Sequence, residues 1–112
     1  MKRLQNYACG EWVAGTGTGT ALFHAVTGKQ VAVASSDGLN FLDMLTYGRT
    51  VGGPTLRAMT FHQRARILKA LAQYLTARKD EFYAVSAWTG ATKADSWIDI
   101  DGGFGTDRKS VV

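Results

Sequence analysis

Three aspartates near the end of the chain are the first residues whose types and spacing could support chemistry. Asp95 and Asp99 are four positions apart, so a helix would place both carboxylates on one side, and Asp101 follows closely. Carboxylate oxygens are ligands that hard cations prefer, so a cation site is one interpretation. The other, which we favour, is that Asp95 offsets the dipole at the N-terminus of a helix.

The one cysteine and the two histidines lack the neighbours that would make them reactive. Cys9 lies in a predicted β-turn, whereas a nucleophilic thiol needs an adjacent base or a helix N-terminus. His24 falls in a predicted strand and His62 in the first turn of a predicted helix, and two isolated histidines do not form a metal set. We therefore predict structural or surface roles for all three and assign no catalytic or metal-binding residue.

A run of alternating glycines and threonines resembles a phosphate-binding loop only superficially. Gly15, Gly17 and Gly19 have the spacing G-x-G-x-G instead of G-x-G-x-x-G. No helix N-terminus follows that could hold a phosphate. We interpret the run as a flexible connection between strands and assign no cofactor-binding residue.

The tryptophans and the basic residues do not combine into a nucleic-acid site. Trp88 and Trp97 are predicted to be packing residues, because aromatic binding platforms usually lie beside a positively charged groove. The net charge of +4 is spread along the chain, which favours a solvated surface over a nucleic-acid patch. A small basic nucleic-acid-binding module remains an alternative, based on four cations of one predicted helix. These are Arg64, Arg66, Lys69 and Arg78.

Size and composition predict a globular protein of the cytoplasm. A chain of 112 residues makes one domain at most. No apolar run approaches the ~18 residues of a membrane span, and no apolar core follows Met1-Lys2-Arg3 as it would in a secretory signal. A single cysteine excludes an internal disulfide framework and suits a reducing compartment. We therefore expect no membrane partner.

The first third of the chain predicts β-hairpins. Two short strands flank Cys9-Gly10, a two-residue turn typical of a hairpin, and two more flank a turn at residues 27–29. The four predicted strands are residues 4–8, 11–14, 21–26 and 30–35. Together they predict a small β region at the N-terminus.

The rest of the chain predicts helices. Ser36 or Asp37 would cap a first helix, which the breaker at residues 52–54 would end. Thr60 and Gln63 form a capping box before a second helix with apolar residues at helical spacing. Those apolar residues are Phe61, Ala65, Leu68, Leu71, Ala72 and Leu75.

Two further helices follow this one in the prediction. Asp80 would cap the next helix, and Gly90 would end it in the left-handed conformation that glycine adopts easily. Thr92 would cap a last helix, which the glycines at 102 and 103 would weaken. The predicted fold class is thus α+β, with N-terminal β-hairpins followed by three to four helices.

The last six residues, Asp107 to Val112, fit poorly with what precedes them, because a polar and basic stretch interrupts the start of a helix. The string DRKSVV also matches one reading frame of a common sequencing adapter. We predict that residues 1–106 are native and that residues 107–112 are a non-native tail. A genuine short C-terminal tail is the alternative.

Three strings, taken in order, resemble the N-terminal segment of the aldehyde dehydrogenase superfamily: NYACGEWV, HAVTGKQVAVASS and the helical block from Thr60 to Ile100. Each is weak alone, but their order and spacing extend over most of the chain. The sequence departs from the family where His24-Ala25 replaces the usual Asn-Pro, and again at Ala91-Thr92. Both departures are similar to the bacterial subfamily that fuses this dehydrogenase to an enoyl-CoA hydratase-like domain in phenylacetate degradation.

The resemblance implies an α/β parent protein that uses NADP to oxidise a CoA-linked semialdehyde and assembles as a homo-oligomer. The family's catalytic cysteine, glutamate and asparagine and its cofactor-binding residues lie downstream of this segment, and Cys9 does not match that cysteine. The resemblance therefore implies an inactive N-terminal scaffold fragment, with another dehydrogenase subfamily as the alternative. Some relatives bind a monovalent cation at positions matching Leu22, Phe23 and Asp99.

The isolated chain is predicted to be poorly stable. Its strands and helices would pack against a sheet that this segment lacks, so apolar residues would remain exposed and promote aggregation. The residues expected to do so are Leu68, Leu71 and Leu75.

Overall fold

The computed structural model describes residues 2–109, and the chain divides into two compact units, Met1–Ala58 and Met59–Val112. Each unit has its own fold. The first contains all the strands of the described chain, and the second is helical. The α+β class with strands preceding helices is therefore confirmed.

The first unit contains two small sheets. A two-stranded antiparallel sheet pairs β2 with β3, and a three-stranded sheet has the order β1-β5-β4. In the larger sheet β1 runs parallel to β5, whereas β4 runs antiparallel to it. The strands are β1 (Lys2–Arg3), β2 (Gln5–Ala8), β3 (Glu11–Ala14), β4 (Thr20–Phe23) and β5 (Gln30–Ala34).

The hairpin predicted around Cys9-Gly10 is confirmed. Both turn residues have positive φ, 52° at Cys9 and 81° at Gly10. This is the combination that a two-residue turn needs if its twist is to match the flanking strands. Strand β4 ends earlier than predicted, because the backbone turns back at His24 and the amide of Gly28 donates to the His24 carbonyl at 2.9 Å.

The first helix, α1 (Phe41–Tyr47), begins later than predicted. Ser36 and Asp37 do not cap it, because a turn intervenes in which the Leu39 amide donates to the Ser36 carbonyl and Gly38 has a φ of 84°. Asn40 caps the helix, its side-chain oxygen accepting from the Asp43 amide at 3.1 Å.

The predicted breaker at residues 52–54 does not end the helical backbone. A π-helical segment, Gly48–Gly52, follows α1 and leads into α2 (Gly53–Arg57). Pro54 lies in the first turn of α2, where its fixed φ suits the helix, although it has no N–H to donate to the preceding π-helical segment.

Three helices form the second unit: α3 (Phe61–Ala77), α4 (Lys79–Trp88) and α5 (Lys93–Lys109). The capping box of α3 is confirmed, since the Thr60 hydroxyl accepts from the Gln63 amide at 3.1 Å and the Gln63 side chain accepts from the Thr60 amide at 2.8 Å. Two amides that the helix itself cannot satisfy are thus paired.

Replacing Thr60 with alanine is expected to destabilise the helical unit by about 1 kcal/mol, because the Gln63 amide loses its acceptor. Hydrogen exchange of the first turn of α3 measures the loss. Thr76→Ala, an exposed position late in the same helix, is the control and should change exchange little. Equal effects of the two changes would show that the cap contributes nothing specific.

The ends of α4 and the start of α5 follow the prediction except at Asp80. Arg78 takes the N-cap position of α4 without a side-chain bond, and Asp80 lies inside the first turn, where its charge offsets the helix dipole. Gly90 ends the helix region with a φ of 86°. The Thr92 hydroxyl caps α5 by accepting from the Asp95 amide at 3.2 Å.

Helix α5 is longer than predicted. It continues through the glycines at 102 and 103 and includes residues 107–109, so the expected interruption at Asp107 does not occur in the backbone. Residues 110–112 lie outside the described part of the chain. Tertiary contact overrides the weak helix propensity of glycine here: the Phe104 ring meets the Phe82 ring of α4 edge-on at 5.4 Å.

Burial is slight in both units. The buried apolar residues among those described are Ala8, Ala32 and Ala72, and the most buried side chain is that of Ser96. The prediction that Trp88 and Trp97 pack is wrong for this chain, since they are 42% and 61% exposed. Leu68 and Leu71 are exposed as predicted, and Leu75 is half-buried.

Within the described residues, no helix is both long and apolar enough to cross a membrane.

Candidate functional site

The glycine-rich loop between β3 and β4 is organised by the Arg3 side chain. The guanidinium donates to the carbonyl oxygen of Gly15 from Nε at 3.0 Å and from Nη2 at 2.6 Å. Nη2 also donates to the carbonyls of Thr16 at 3.0 Å and Gly17 at 2.8 Å. Three consecutive carbonyls thus face one cation, and these bonds anchor the loop that the sequence predicts to be a flexible connection.

This arrangement is the opposite of a phosphate-binding loop, which directs backbone N–H groups at an anion. The cleft beside the loop has a volume of about 460 Å³, and its charged lining residue is Asp37, whose carboxylate would repel a phosphate. The geometry therefore agrees with the interpretation that the glycine spacing does not mark a nucleotide site.

The three aspartates do not converge. Asp95 lies in the first turn of α5, where its charge offsets the helix dipole as predicted. Asp99 is exposed, and Asp101 turns toward α4. Among the side chains that the structure describes, those of residues 2–106, no set of three or more from histidine, cysteine, aspartate and glutamate could hold a metal ion.

Asp101 joins α5 to α4 through two side chains. The Tyr83 hydroxyl donates to its Oδ2, and the Lys79 ammonium lies 3.6 Å from its Oδ1. The hydrogen bond to Asp101 raises the pKa of Tyr83 to about 12, because the carboxylate favours the neutral phenol. This contact is a helix-to-helix connection that the acidic spacing alone did not predict.

The stability that this bond contributes is expected to fall at alkaline pH. It is fully present below about pH 10, the ordinary pKa of a tyrosine, and it is lost as pH rises toward the folded value of about 12. Far-UV circular dichroism of the chain across this range should show the loss of helix. Tyr83→Phe should remove the Tyr83-dependent part of the change, and an identical pH profile in the variant would contradict the assignment.

A second polar contact lies between the same helices. The hydroxyls of Ser86 and Ser96 are 2.8 Å apart, and Ser96 is 2% exposed. A buried hydroxyl needs such a partner, because an unpaired one is costly. Both residues are polar, so a pattern of hydrophobic residues could not reveal the contact.

Cys9 and the histidines lie in local structural positions. Cys9 is exposed in the hairpin turn, and His62 is exposed in the first turn of α3. His24 accepts at Nδ1 from the amides of Val26 at 3.1 Å and Thr27 at 3.3 Å, so it stabilises the turn after β4. That contact is a structural role as predicted, although in a turn and not in a strand.

The positions carried over from relatives that bind a monovalent cation belong to different units. Leu22 and Phe23 lie in β4, where the pairing with β5 is irregular, and Asp99 lies in α5. The cation site stays a prediction.

No protein-family model matches the chain. It is 40% identical over 105 residues to the 3,4-dehydroadipyl-CoA semialdehyde dehydrogenase of Aromatoleum evansii. The match covers 93% of this chain and 20% of that protein, so the chain spans about a fifth of the length of its curated relative. The resemblance that the sequence predicts is therefore confirmed: the chain is similar, over most of its length, to the N-terminal segment of a larger aldehyde dehydrogenase.

Proposed function

We propose that this chain is the N-terminal scaffold segment of an NAD(P)-dependent aldehyde dehydrogenase. The whole protein would oxidise a CoA-linked semialdehyde in phenylacetate catabolism, with NADP as the cofactor, in the cytoplasm and as a homo-oligomer. The observation that carries the proposal is the similarity to a relative whose name gives a CoA-linked semialdehyde as its substrate. The segment itself would be inactive.

The distribution of apolar side chains supports a scaffold role. On the β2–β3 hairpin, Tyr7 and Trp12 pack edge-on at 5.1 Å, yet they are 60% and 67% exposed. On α3, Ile67 is 51% and Leu71 44% exposed. Large apolar surfaces of this kind are typical of faces that other protein covers.

The chemistry would belong to other parts of the protein. In this family a cysteine attacks the aldehyde, and the nicotinamide accepts a hydride when it is bound. The residues described here do not fit the dinucleotide, because the glycine loop presents carbonyls to Arg3 and the adjacent cleft carries Asp37. The contribution of this chain would be to support the elements that hold the site.

A chimera tests the scaffold role. The matched segment of the Aromatoleum evansii dehydrogenase is replaced by this chain, and NADP reduction with the CoA-linked semialdehyde is compared with that of the enzyme lacking the segment. We expect activity in the chimera, none in the deleted enzyme and none in this chain alone. A folded but inactive chimera would contradict the scaffold role, and turnover by the chain alone would contradict its inactivity.

The chimera does not distinguish the alternative of another dehydrogenase subfamily. If this segment comes from a protein with a different aldehyde substrate, the chimera still folds and its substrate preference is set by the remaining four fifths of the enzyme. Sequencing the gene downstream of the matched region then decides between the subfamilies. It also decides whether residues 107–112 are native, since we propose that the natural sequence here is residues 1–106.

The nucleic-acid alternative is weakened by what its cations contact. Arg64 lies over the Phe61 ring at 4.7 Å from the ring centre. Arg78 donates to the Glu81 carboxylate at 3.0 Å and to the Tyr74 hydroxyl. Cations with such partners are less available to phosphates, and we expect no salt-dependent binding of DNA or RNA at low salt.

A further inference from the structure

The loop that Arg3 holds has the form of a receptor for a cation with several hydrogen-bond donors. Two nitrogens of one guanidinium, which carry three N–H groups between them, make four contacts with the loop, and all four end on backbone carbonyls. Because the acceptors are backbone atoms, their convergence on one point follows from the backbone conformation of the loop. We propose that the carbonyls of Gly15, Thr16 and Gly17 form a guanidinium-binding site that Arg3 fills as an intramolecular ligand, and that its occupancy fixes the loop.

Part of the path of the loop is held by contacts that do not involve Arg3, and Arg3 fixes the rest. The Thr16 amide donates to the Asp37 carbonyl at 2.9 Å, and the Ser35 hydroxyl donates to the Thr16 carbonyl at 2.7 Å. The Asn6 side chain holds the Ser35 carbonyl at 2.7 Å. Part of the site is therefore built by β2 and the end of β5, and this part should persist when the Arg3 side chain is removed.

Strand β1, which has two residues, positions the Arg3 guanidinium at the loop. Arg3 pairs with Val33 of β5, and this parallel register places its side chain beside a loop that is 12 to 14 positions away in sequence. A lysine at this position would carry the charge but not the paired donors, Nε and Nη2, that meet at the Gly15 carbonyl. The site should therefore prefer guanidinium to ammonium.

Chemical rescue in the 112-residue chain tests this inference. In Arg3→Ala, hydrogen exchange of the Thr16 amide, which donates to the Asp37 carbonyl, should rise by about tenfold, as expected when hydrogen bonds to a charged group are lost. Guanidinium chloride at a concentration well below the denaturing range should restore most of the protection. Sodium chloride and tetramethylammonium chloride at the same ionic strength should not.

Two variants separate the site from general electrostatics. Arg49→Ala removes the same charge from an exposed position of the same unit and should leave the loop unchanged. Arg3→Lys should restore only part of the protection. Equal rescue by all three salts, or loop exchange in Arg3→Ala that matches the unchanged chain, would overturn the proposal.

A measurement on the unchanged chain guards against a variant that fails to fold. The Nε proton of Arg3 should exchange more slowly than that of Arg49 in an NMR spectrum, because it is bonded to the Gly15 carbonyl. Equal exchange rates at the two arginines would overturn the inference without any substitution.

Discussion

Replacing Gly15 with alanine is expected to destabilise the β-rich unit by about 1–3 kcal/mol, the usual cost of forcing extra atoms into a packed site. Gly15 is buried, and a Cβ added there would overlap the backbone carbonyl of Ser35. A flexible side chain could turn away from such a clash, whereas a backbone carbonyl held by Asn6 cannot do so easily. The loop would have to shift as a whole.

That shift would also disturb the bonds that converge on the loop. The Gly15 carbonyl accepts from Arg3, and the neighbouring Thr16 carbonyl accepts from Ser35. Because these contacts share one short stretch of backbone, their losses should be coupled. The effect of Gly15→Ala should therefore appear in the exchange of β5 amides as well as in the loop.

Gly48→Ala is the matched control for this change. Gly48 has a helical φ of −58°, and a Cβ added there meets nothing within 4 Å. The control should be neutral or stabilising by about 0.5–1 kcal/mol, because alanine loses less backbone entropy than glycine in a helix. If Gly15→Ala behaved like Gly48→Ala, the close approach of the loop to Ser35 would be disproved.

The features that the sequence predicted well are those decided by neighbouring residues. The Thr60 capping box, the Cys9-Gly10 turn and the left-handed Gly90 each depend on chemistry within a few positions. A side-chain oxygen three residues from an orphan amide, or a glycine at a helix end, leaves few alternatives. These local rules gave correct positions without any knowledge of the tertiary structure.

The features that the sequence did not predict depend on contacts between residues that are distant in sequence. Strand β1 is too short to show a period, and it forms because β5 lies beside it. Helix α5 passes its glycines because Phe104 packs on Phe82 and because Asp101 contacts Tyr83. Neither the carbonyl cradle around Arg3 nor the buried Ser86–Ser96 pair has a signature in hydrophobic periodicity. The start of α1 is the exception, since the sequence predicts it too early for a local reason. Gly38 forms a turn before the helix, and Ser36 alone does not reveal that turn.

Replacing Ile67 with aspartate is expected to destabilise the chimera but not the isolated chain. Ile67 and Leu71 are one turn apart on α3, and together they form an exposed apolar stripe on this helix. In the isolated chain the aspartate would remain in water, so stability should change little and aggregation should fall. In the chimera, where we propose that other protein covers this stripe, the change should destabilise the fold by about 3 kcal/mol or more, because a charge is buried without a partner.

Gln73→Asp provides the matched control, since Gln73 is exposed on the same helix and, two positions from Leu71, faces away from the stripe. It adds the same charge and should change neither the yield nor the activity of the chimera by much. Light scattering of the isolated chain and NADP reduction by the chimera measure the two effects. If Ile67→Asp destabilised the isolated chain as much as the chimera, the stripe would be covered within this chain. If the chimera tolerated both aspartates equally, the stripe would face water in the whole enzyme, and the scaffold role would need a different surface.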